Sequence, residues 1–164
     1  MEITIRQATI FDSVSILNLI QELADYEKEP ESVKLNISDI EQHGFGKTPL
    51  FQCLVAEFKN DVIGMALYYP RYSTWKGPTF HLEDLIVTES FKSQGVGTKL
   101  YSEFIKIAYK MGVERIEWNV LDWNTPAIEF YEKSGASVIH EWSTVQMHKA
   151  GMEAYLKGLK NEGI

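Results

Sequence analysis

Two adjacent carboxylates and a glycine-rich turn are the residues best suited to chemistry in this chain. Glu83 and Asp84 lie in an apolar, β-branched stretch at residues 80–87, which predicts a strand. A turn follows at residues 92–97, and apolar residues at helical spacing then predict a helix. Glycines at a helix N-terminus let backbone N–H groups approach a phosphate or diphosphate closely. The stretch therefore predicts a carboxylate-bearing strand beside an anion-binding helix N-terminus.

The turn does not fit the two common nucleotide-binding motifs. The dinucleotide fingerprint would need glycine where the chain has Leu100. A P-loop ending at Gly46-Lys47-Thr48 would need its first glycine where the chain has Glu41. The anion-binding turn therefore indicates a different class of phosphate ligand.

The composition favours a single globular domain spanning residues 1–164. Hydrophobic residues make up 45% of the 164 residues, enough for a proper core. The formal net charge of -7 disfavours nucleic acid as a partner and would suit a small cationic substrate. No run of about 18 apolar residues predicts a membrane span. The single cysteine, in a strand pattern, is expected to be buried and inert and is compatible with the cytoplasm.

The four histidines and the cysteine form no metal-ligand spacing, so no metal site is expected. The acidic stretch Tyr26–Glu31 is either a solvated loop or an electrostatic collar for an ammonium group. The aromatic stretch at residues 68–77 lines a pocket or interface, or forms an ordinary surface hairpin.

The order of predicted elements is that of one α/β domain with a mixed sheet. A first strand at residues 2–7 precedes a helix capped by a Thr9–Asp12 box and stopped by Pro30. Ser38 is expected to cap a short second helix. The remaining predictions are strands at 51–58, 62–69, 80–87 and 115–120, helices beginning near 97 and 125, one or two strands within 136–147, and a terminal helix.

The glycine turn resembles motif A of the GNAT superfamily of N-acetyltransferases, Q/R-x-x-G-x-G/A, with Lys92 in place of the first Gln or Arg. Within that superfamily, five segments in the same order resemble the spermidine/spermine (diamine) N-acetyltransferases and their thialysine-acetylating relatives. These segments are ELADYEKEP, GFGKTPLFQCLVAE, ALYYPRYSTWKG, LEDLIV and WNTPAIEFYEKSGAS. The resemblance implies the GNAT fold, an α/β (α+β) domain with a central mixed, largely antiparallel sheet flanked by helices.

The resemblance also implies acetyl-CoA as co-substrate and assigns residues to its binding. Three strand residues would offer backbone groups to the pantetheine arm, namely Leu85, Ile86 and Val87. The turn and first helical residues would hold the diphosphate, namely Lys92, Ser93, Gln94, Gly95, Val96, Gly97 and Thr98. A second segment contacting CoA would comprise Asn124, Thr125, Pro126 and Ala127.

For catalysis, the resemblance assigns Tyr131 as general acid and Glu83 as the carboxylate on the acceptor side. The other acceptor-contacting positions are Tyr26, Glu27, Asp84, Glu117, Trp118 and Asn119. Adjacent strand residues point to opposite faces unless a bulge intervenes, so at most one of Glu83 and Asp84 is expected to face the acceptor. An alkylammonium must lose a proton before its nitrogen can attack a thioester, which gives Glu83 its role, directly or through water.

The predicted reaction is acetyl transfer to a primary amine of a diamine or polyamine in a ternary complex. The first alternative is thialysine or a lysine-like amino acid, whose carboxylate would need an unpaired cation such as Arg71 or Lys76. The second alternative is a CoA-binding regulatory domain without turnover. The family resemblance further implies a homodimer.

Overall fold

A computed structural model describes residues 2–161 of the chain. The chain divides into two compact units, the first ending at Asn119 and the second beginning at Val120. The described part of the first unit has five strands, β1 (Thr4–Gln7), β2 (Gln52–Phe58), β3 (Asp61–Ser73), β4 (Gly77–Val87) and β5 (Ile116–Glu117). It also has three α-helices, α1 (Ser13–Tyr26), α2 (Ile37–Phe45) and α3 (Val96–Lys110).

The five strands form one sheet in the order β1-β2-β3-β4-β5. The first four pair as antiparallel neighbours, and β5 joins the edge of β4 in parallel. The prediction of a mixed, largely antiparallel sheet flanked by helices is therefore confirmed.

The start of α1 follows the predicted capping box. The Thr9 backbone N–H donates a 2.7 Å hydrogen bond to Oδ2 of Asp12, and a 3₁₀ turn at Ile10–Asp12 leads into α1. Asp12 is also paired with Arg6 of β1 at 2.8 Å, and Arg6 lies 2.7 Å from Glu57 of β2. These contacts fix the helix N-terminus against the first two strands. The helix ends at Tyr26, before Pro30.

The sheet has an apolar layer on each face. On one face, Cys53, Met65, Leu67 and other strand residues pack with buried side chains of α1 and α2, such as Ile16, Leu19 and Ile40. Strand alternation places Tyr68 and Phe80 on the other face. There Phe104 of α3 lies 5.0 Å from the ring centroid of Tyr68 and 6.4 Å from that of Phe80. The candidate site described below lies on the face of the sheet that α1 and α2 cover.

Two predictions for the first unit need correction, and one open alternative is resolved. Asn36, and not Ser38, caps α2, since its side chain accepts from the Asp39 N–H at 3.2 Å. The aromatic stretch at 68–77 forms the hairpin that was one of its two alternatives, since β3 runs to Ser73 and β4 begins at Gly77. The expected buried strand at 115–120 is reduced to a half-buried two-residue β5, because the chain pairs with β4 only through Ile116 and Glu117.

The second unit contains α4 (Thr125–Lys133) and α5 (Lys149–Asn161), the latter being the predicted terminal helix. The expected strand or strand pair at 136–147 is wrong within the described residues. That segment pairs with no strand, and its residues from 139 to 147 are exposed. A β-strand needs a neighbouring strand to satisfy its backbone groups, so the apolar pattern alone does not produce one.

Candidate active site

A β-bulge at Glu83 organises the candidate site. In the ladder between β3 and β4, Leu67 is opposite Asp84 and Tyr68 is opposite Leu82, so Glu83 is the extra residue. A bulge interrupts the alternation of side chains and re-aims those beside it. The expectation that Glu83 and Asp84 point to opposite faces is therefore not met.

Contacts across the ladder define the face to which each carboxylate is directed. Asp84 is opposite Leu67, which belongs to the apolar layer under α1 and α2. Glu83 accepts a 2.8 Å hydrogen bond from the hydroxyl of Tyr69, which shares a face of β3 with Leu67. Both carboxylates thus reach the α1 and α2 side of the sheet.

The carboxylate of Glu83 accepts a hydrogen bond from one aromatic residue and lies beside a second. Its Oε2 atom accepts from Tyr69 and lies 3.6 Å from Nε2 of His81. The Tyr69 and His81 rings are stacked with centroids 5.2 Å apart, and His81 is buried. Burial and the bond to Glu83 raise the pKa of Tyr69 to about 12, so its hydroxyl remains a donor at neutral pH. The hydrogen bond from Tyr69 orients Oε2 of Glu83, and neither aromatic residue donates a hydrogen bond to Oε1.

Asp84 and Glu27 complete an acidic cluster with Glu83. Burial, followed by the charges of Glu83 and Glu27, raises the pKa of Asp84 to about 7. Glu27 directly follows the last residue of α1, and desolvation raises the pKa of its carboxyl although the residue is more exposed than buried. A cationic group would relieve the repulsion within the cluster.

The end of α1 also contacts the segment that leads to the glycine turn. Oε1 of Glu22 accepts hydrogen bonds from Thr88 Oγ1 at 3.0 Å and from the Glu89 N–H at 2.8 Å. Nζ of Lys92 lies 4.6 Å from the ring centroid of Tyr26 and pairs with Glu89. Lys92 therefore packs beside Tyr26, which is predicted to contact the amine substrate.

The glycine turn has the geometry of an anion-binding helix N-terminus. Ser93 and Gly95 have positive φ of 61° and 79°, and α3 begins at Val96. The first helical hydrogen bond runs from Lys99 N to Gly95 O, and no side chain caps the helix. The N–H groups of residues 96–98 therefore lack an intrahelical acceptor. An added Cβ at Gly97 would lie 3.7 Å from Val87, which is ordinary contact. The turn fits a diphosphate bound by backbone groups.

The edge of β4 is free beside this turn. β5 pairs only with Phe80 and His81, so residues 82 and 84–87 of β4 have ladder partners on the β3 side alone within the described sheet. Backbone groups on an unpaired edge can bind an extended ligand as an added strand would. The residues predicted to bind pantetheine are at this edge: Leu85, Ile86 and Val87.

The predicted acceptor-contacting residues at the end of β5 and just after it have different surroundings. Glu117 is opposite His81 in the sheet and forms ion pairs with Arg71 and Arg115. The Trp118 ring is edge-on to Tyr101 of α3 with centroids 5.8 Å apart, and Asn119 is exposed. Arg71, expected as an unpaired cation for the amino-acid alternative, is therefore ion-paired, and it shares its carboxylate partner with Arg115.

The remaining predicted residues lie in the second unit. The Asn124 side chain caps α4 by accepting from the Ala127 N–H at 3.4 Å, and Pro126 occupies its first turn after Thr125. Tyr131 is within α4, with its ring 5.4 Å from that of Phe130. The assignments of these residues to CoA binding and to acid catalysis stay predictions.

Three residues that contact the predicted site were not identified from the sequence, namely Glu22, His81 and Arg115, whereas Tyr69 belongs to the aromatic stretch for which a pocket was one expectation. Glu22 lies one helical turn before Tyr26, and Tyr69 precedes Arg71 at strand spacing, so periodicity offered a weak signal for both. His81 lies two residues before Glu83 in β4, so strand spacing was its only signal, and Arg115 carried none because its contact with Glu117 depends on where β5 begins.

Residues 2–161 contain no helix with the length and apolar character needed to cross a bilayer. In the same part of the chain, no group of three or more His, Cys, Asp or Glu side chains could hold a metal ion.

Comparison with known proteins defines the class. Residues 15–136 match the acetyltransferase (GNAT) family, so the chain belongs to this family, as its sequence predicted, and is an acetyltransferase. It is 39% identical over 147 residues to the thialysine N-epsilon-acetyltransferase of Bos taurus, covering 85% of this chain and 86% of that protein. It is 34% identical over 139 residues to the Homo sapiens spermidine/spermine N(1)-acetyltransferase-like protein 1, covering 80% of this chain and 20% of that protein.

A solved structure supports the same fold. An integron cassette protein from the mobile metagenome of V. cholerae superposes with a TM-score of 0.78 at 22% identity, covering 96% of this chain and 99% of that one. The prediction of the GNAT fold is confirmed.

Proposed function

We propose that this protein transfers the acetyl group of acetyl-CoA directly to the terminal side-chain amine of thialysine or a lysine-like amino acid. The observation that carries transfer to an amine is the bulge at Glu83, which directs two adjacent carboxylates to one face of the sheet beside Glu27. The Bos taurus relative, named for thialysine, is similar over most of both chains, which favours the amino acid over the polyamine acceptor put first by the sequence.

The first step is removal of a proton from the ammonium group of the acceptor. The reference pKa of such an amine is roughly 10, so nearly all of it is protonated at neutral pH. Glu83 accepts the proton, directly or through a water molecule, with Tyr69 fixing the carboxylate. Glu27 and Asp84 attract the incoming cation.

The free amine then attacks the thioester carbon, forming a C–N bond and a tetrahedral oxyanion. A strand N–H near Leu85 stabilises the oxyanion. The amine nitrogen loses its second proton to solvent, the C–S bond breaks, and the CoA thiolate takes a proton from Tyr131, which solvent replaces. Backbone N–H groups at residues 95–98 hold the diphosphate of CoA. No covalent enzyme intermediate is required.

Polyamines are the second candidate, and the acidic cluster favours them. Three neighbouring carboxylates suit an acceptor with several positive charges and no negative one. The human relative named for spermidine and spermine is consistent with this alternative. The remaining alternative, CoA binding without turnover, has no observation in its favour, since the chain belongs to an acetyltransferase family.

Thiol release from acetyl-CoA tests the proposal. The purified protein is given thialysine, lysine, spermidine, spermine, putrescine or a short diamine, with a blank that contains no amine. The highest kcat/KM with thialysine or lysine is expected. A preference for polyamines would replace the acceptor with the second candidate. If no amine causes thiol release while a fluorescence titration still shows acetyl-CoA binding, turnover of this acceptor class is contradicted.

We also propose that residues 1–164 act as one domain of a cytoplasmic protein and, from the family resemblance, that this protein is a homodimer. Sedimentation equilibrium tests the dimer. A mass equal to one chain across the accessible concentrations would contradict it.

A further inference from the structure

A cluster of three charged residues near Glu83 has one more cation than anion. Arg71 Nη1 pairs with Oε1 of Glu117, and Arg115 Nη2 lies 3.0 Å from Oε2 of the same carboxylate. Each oxygen of Glu117 therefore has its own arginine. If Arg71 turned to another anion, Arg115 would still neutralise Glu117.

The position of Arg71 relates this cluster to the acidic one. Arg71 follows Tyr69 by two residues in β3, so both side chains are on the same face of the strand. Tyr69 and Glu117 are each opposite His81, one on either side of β4. Two residues of strand rise separate Tyr69 and Arg71 by about 7 Å. The Arg71 side chain is 55% exposed, so a ligand can reach it.

We propose that Arg71 binds the α-carboxylate of the amino-acid acceptor and that Glu117, still held by Arg115, binds its α-ammonium group. This inference rests on the proposed function, because it assumes that the terminal amine is at Glu83. It makes the Arg71–Glu117 ion pair the element that selects amino acids over diamines.

The chemistry of the acceptor matches this arrangement. In an extended lysine-like amino acid the carboxylate and the terminal nitrogen are at opposite ends, so one end can face Glu83 while the other faces Arg71 on the same side of β3. The planar guanidinium of arginine suits two parallel hydrogen bonds to a carboxylate. A diamine lacks that carboxylate and would bring only positive charge to Arg71. The arginine therefore both attracts the amino acid and disfavours its decarboxylated analogue.

The test compares lysine with cadaverine, its decarboxylated analogue, in the wild-type protein and in Arg71→Gln. Since hydrogen bonds to charged groups are strong, the variant is expected to lose about tenfold to hundredfold in kcat/KM for lysine. Its kcat/KM for cadaverine is expected to stay equal or to rise. Arg71→Lys keeps the charge but lacks the planar guanidinium. Its kcat/KM for lysine is expected to lie between those of the wild-type protein and Arg71→Gln.

Lys76→Gln is the matched control, because Lys76 is a cation in the turn of the same hairpin. It is expected to leave the lysine-to-cadaverine ratio unchanged, and acetyl-CoA binding shows that each variant is folded. An equal loss with both amines in Arg71→Gln would make Arg71 merely structural and overturn the inference. An unchanged ratio, or a ratio that moves in Lys76→Gln instead, would also overturn it.

The proposed function can fail separately. A wild-type protein that acetylates neither lysine nor thialysine would contradict the amino-acid acceptor and, with it, the role of Arg71. A wild-type protein that prefers the amino acid, with no change of ratio in Arg71→Gln, would overturn only the role of Arg71.

Discussion

The hydroxyl of Tyr69 donates a 2.8 Å hydrogen bond to Oε2 of Glu83 from the neighbouring strand. A bond to a charged carboxylate contributes about 1.5–3 kcal/mol, so its loss would free the carboxylate to rotate. For Tyr69→Phe we expect kcat/KM for the amine to fall about tenfold or more, with no change in acetyl-CoA affinity. Steady-state kinetics in both substrates measure this.

Tyr72→Phe is the control for that variant, because Tyr72 is in the same strand and is 73% exposed. It should retain wild-type kinetics. If both phenylalanine variants behave alike, the bond between Tyr69 and Glu83 has no part in catalysis.

The role of Glu83 as a base predicts a particular pH dependence. Glu83→Gln keeps the shape of the side chain and removes its capacity to accept a proton. Activity is expected to fall most near neutral pH. It is expected to recover as the pH approaches the reference pKa of the acceptor amine, roughly 10. A kcat/KM profile from pH 6 upward, with exposed Glu114→Gln as control, measures the effect. A loss of equal size at every pH would indicate that Glu83 only positions the acceptor.

Asp84 predicts a stability effect with a definite sign. Its pKa of about 7 is above the ordinary 3.8 because of burial and of the charges of Glu83 and Glu27. The folded state therefore keeps a proton that the unfolded state loses, and this stabilising contribution disappears as pH rises from about 4 through 7. Asp84→Asn should therefore raise the free energy of unfolding, relative to the wild type, by more at pH 8 than at pH 4. The difference between the two pH values should be at most about 4 kcal/mol.

Urea denaturation at both pH values measures this difference, and Asp12→Asn supplies a contrast of opposite sign. Hydrogen bonding to Arg6 lowers the pKa of Asp12 to about 2, so its contribution to stability is lost as pH falls from about 4 through 2. Asp12→Asn should therefore destabilise the protein at pH 7. A stabilising effect of Asp84→Asn that does not grow with pH would refute the account given for Asp84.

Local patterns predicted most of the fold. The Thr9–Asp12 box, the apolar stripe of α3 and the two-residue turn at Lys59–Asn60 are encoded by neighbouring residues, and each is present. The cap of α2 was misassigned because Asn36 and Ser38 are both good caps, each with an acidic residue three positions later. A local rule cannot choose between two local solutions.

The site was less predictable because it depends on pairing between distant segments. The bulge at Glu83 arises from the register of β4 against β3, which alternation within one strand does not encode. The partners of Glu117 come from β3 and from the residue before β5. The sequence therefore predicted which residues have the right chemistry, while their common face and their partners required the sheet.

Gly95 predicts a selective loss of cofactor affinity. Its φ of 79° is unfavourable for other residues, and it lies at the N-terminus of α3, where backbone N–H groups are uncapped. Gly95→Ala is expected to weaken acetyl-CoA binding, because relief of the strain, about 1–2 kcal/mol, turns those groups away from the diphosphate. Isothermal titration with acetyl-CoA measures the change.

Gly112→Ala is a closely matched control for this effect. Gly112 has a φ of 70°, and an added Cβ would meet nothing within 4 Å at either glycine. The two variants should lose similar stability, but only Gly95→Ala should lose acetyl-CoA affinity. Equal affinities in both variants would exclude the turn as the diphosphate site.

Tyr131 is expected to act only when the thiolate leaves. Removal of its hydroxyl in Tyr131→Phe preserves the ring that packs beside Phe130 in α4, so folding and acetyl-CoA affinity should be retained. Since general acid catalysis contributes about 10²- to 10⁴-fold, kcat should fall by at least about a hundredfold. Tyr155→Phe, on the exposed side of α5, controls for the loss of a tyrosine in the same unit. Because an acid at the leaving group raises kcat without tightening ground-state binding, a variant that loses affinity and keeps kcat would make Tyr131 a CoA-binding residue instead.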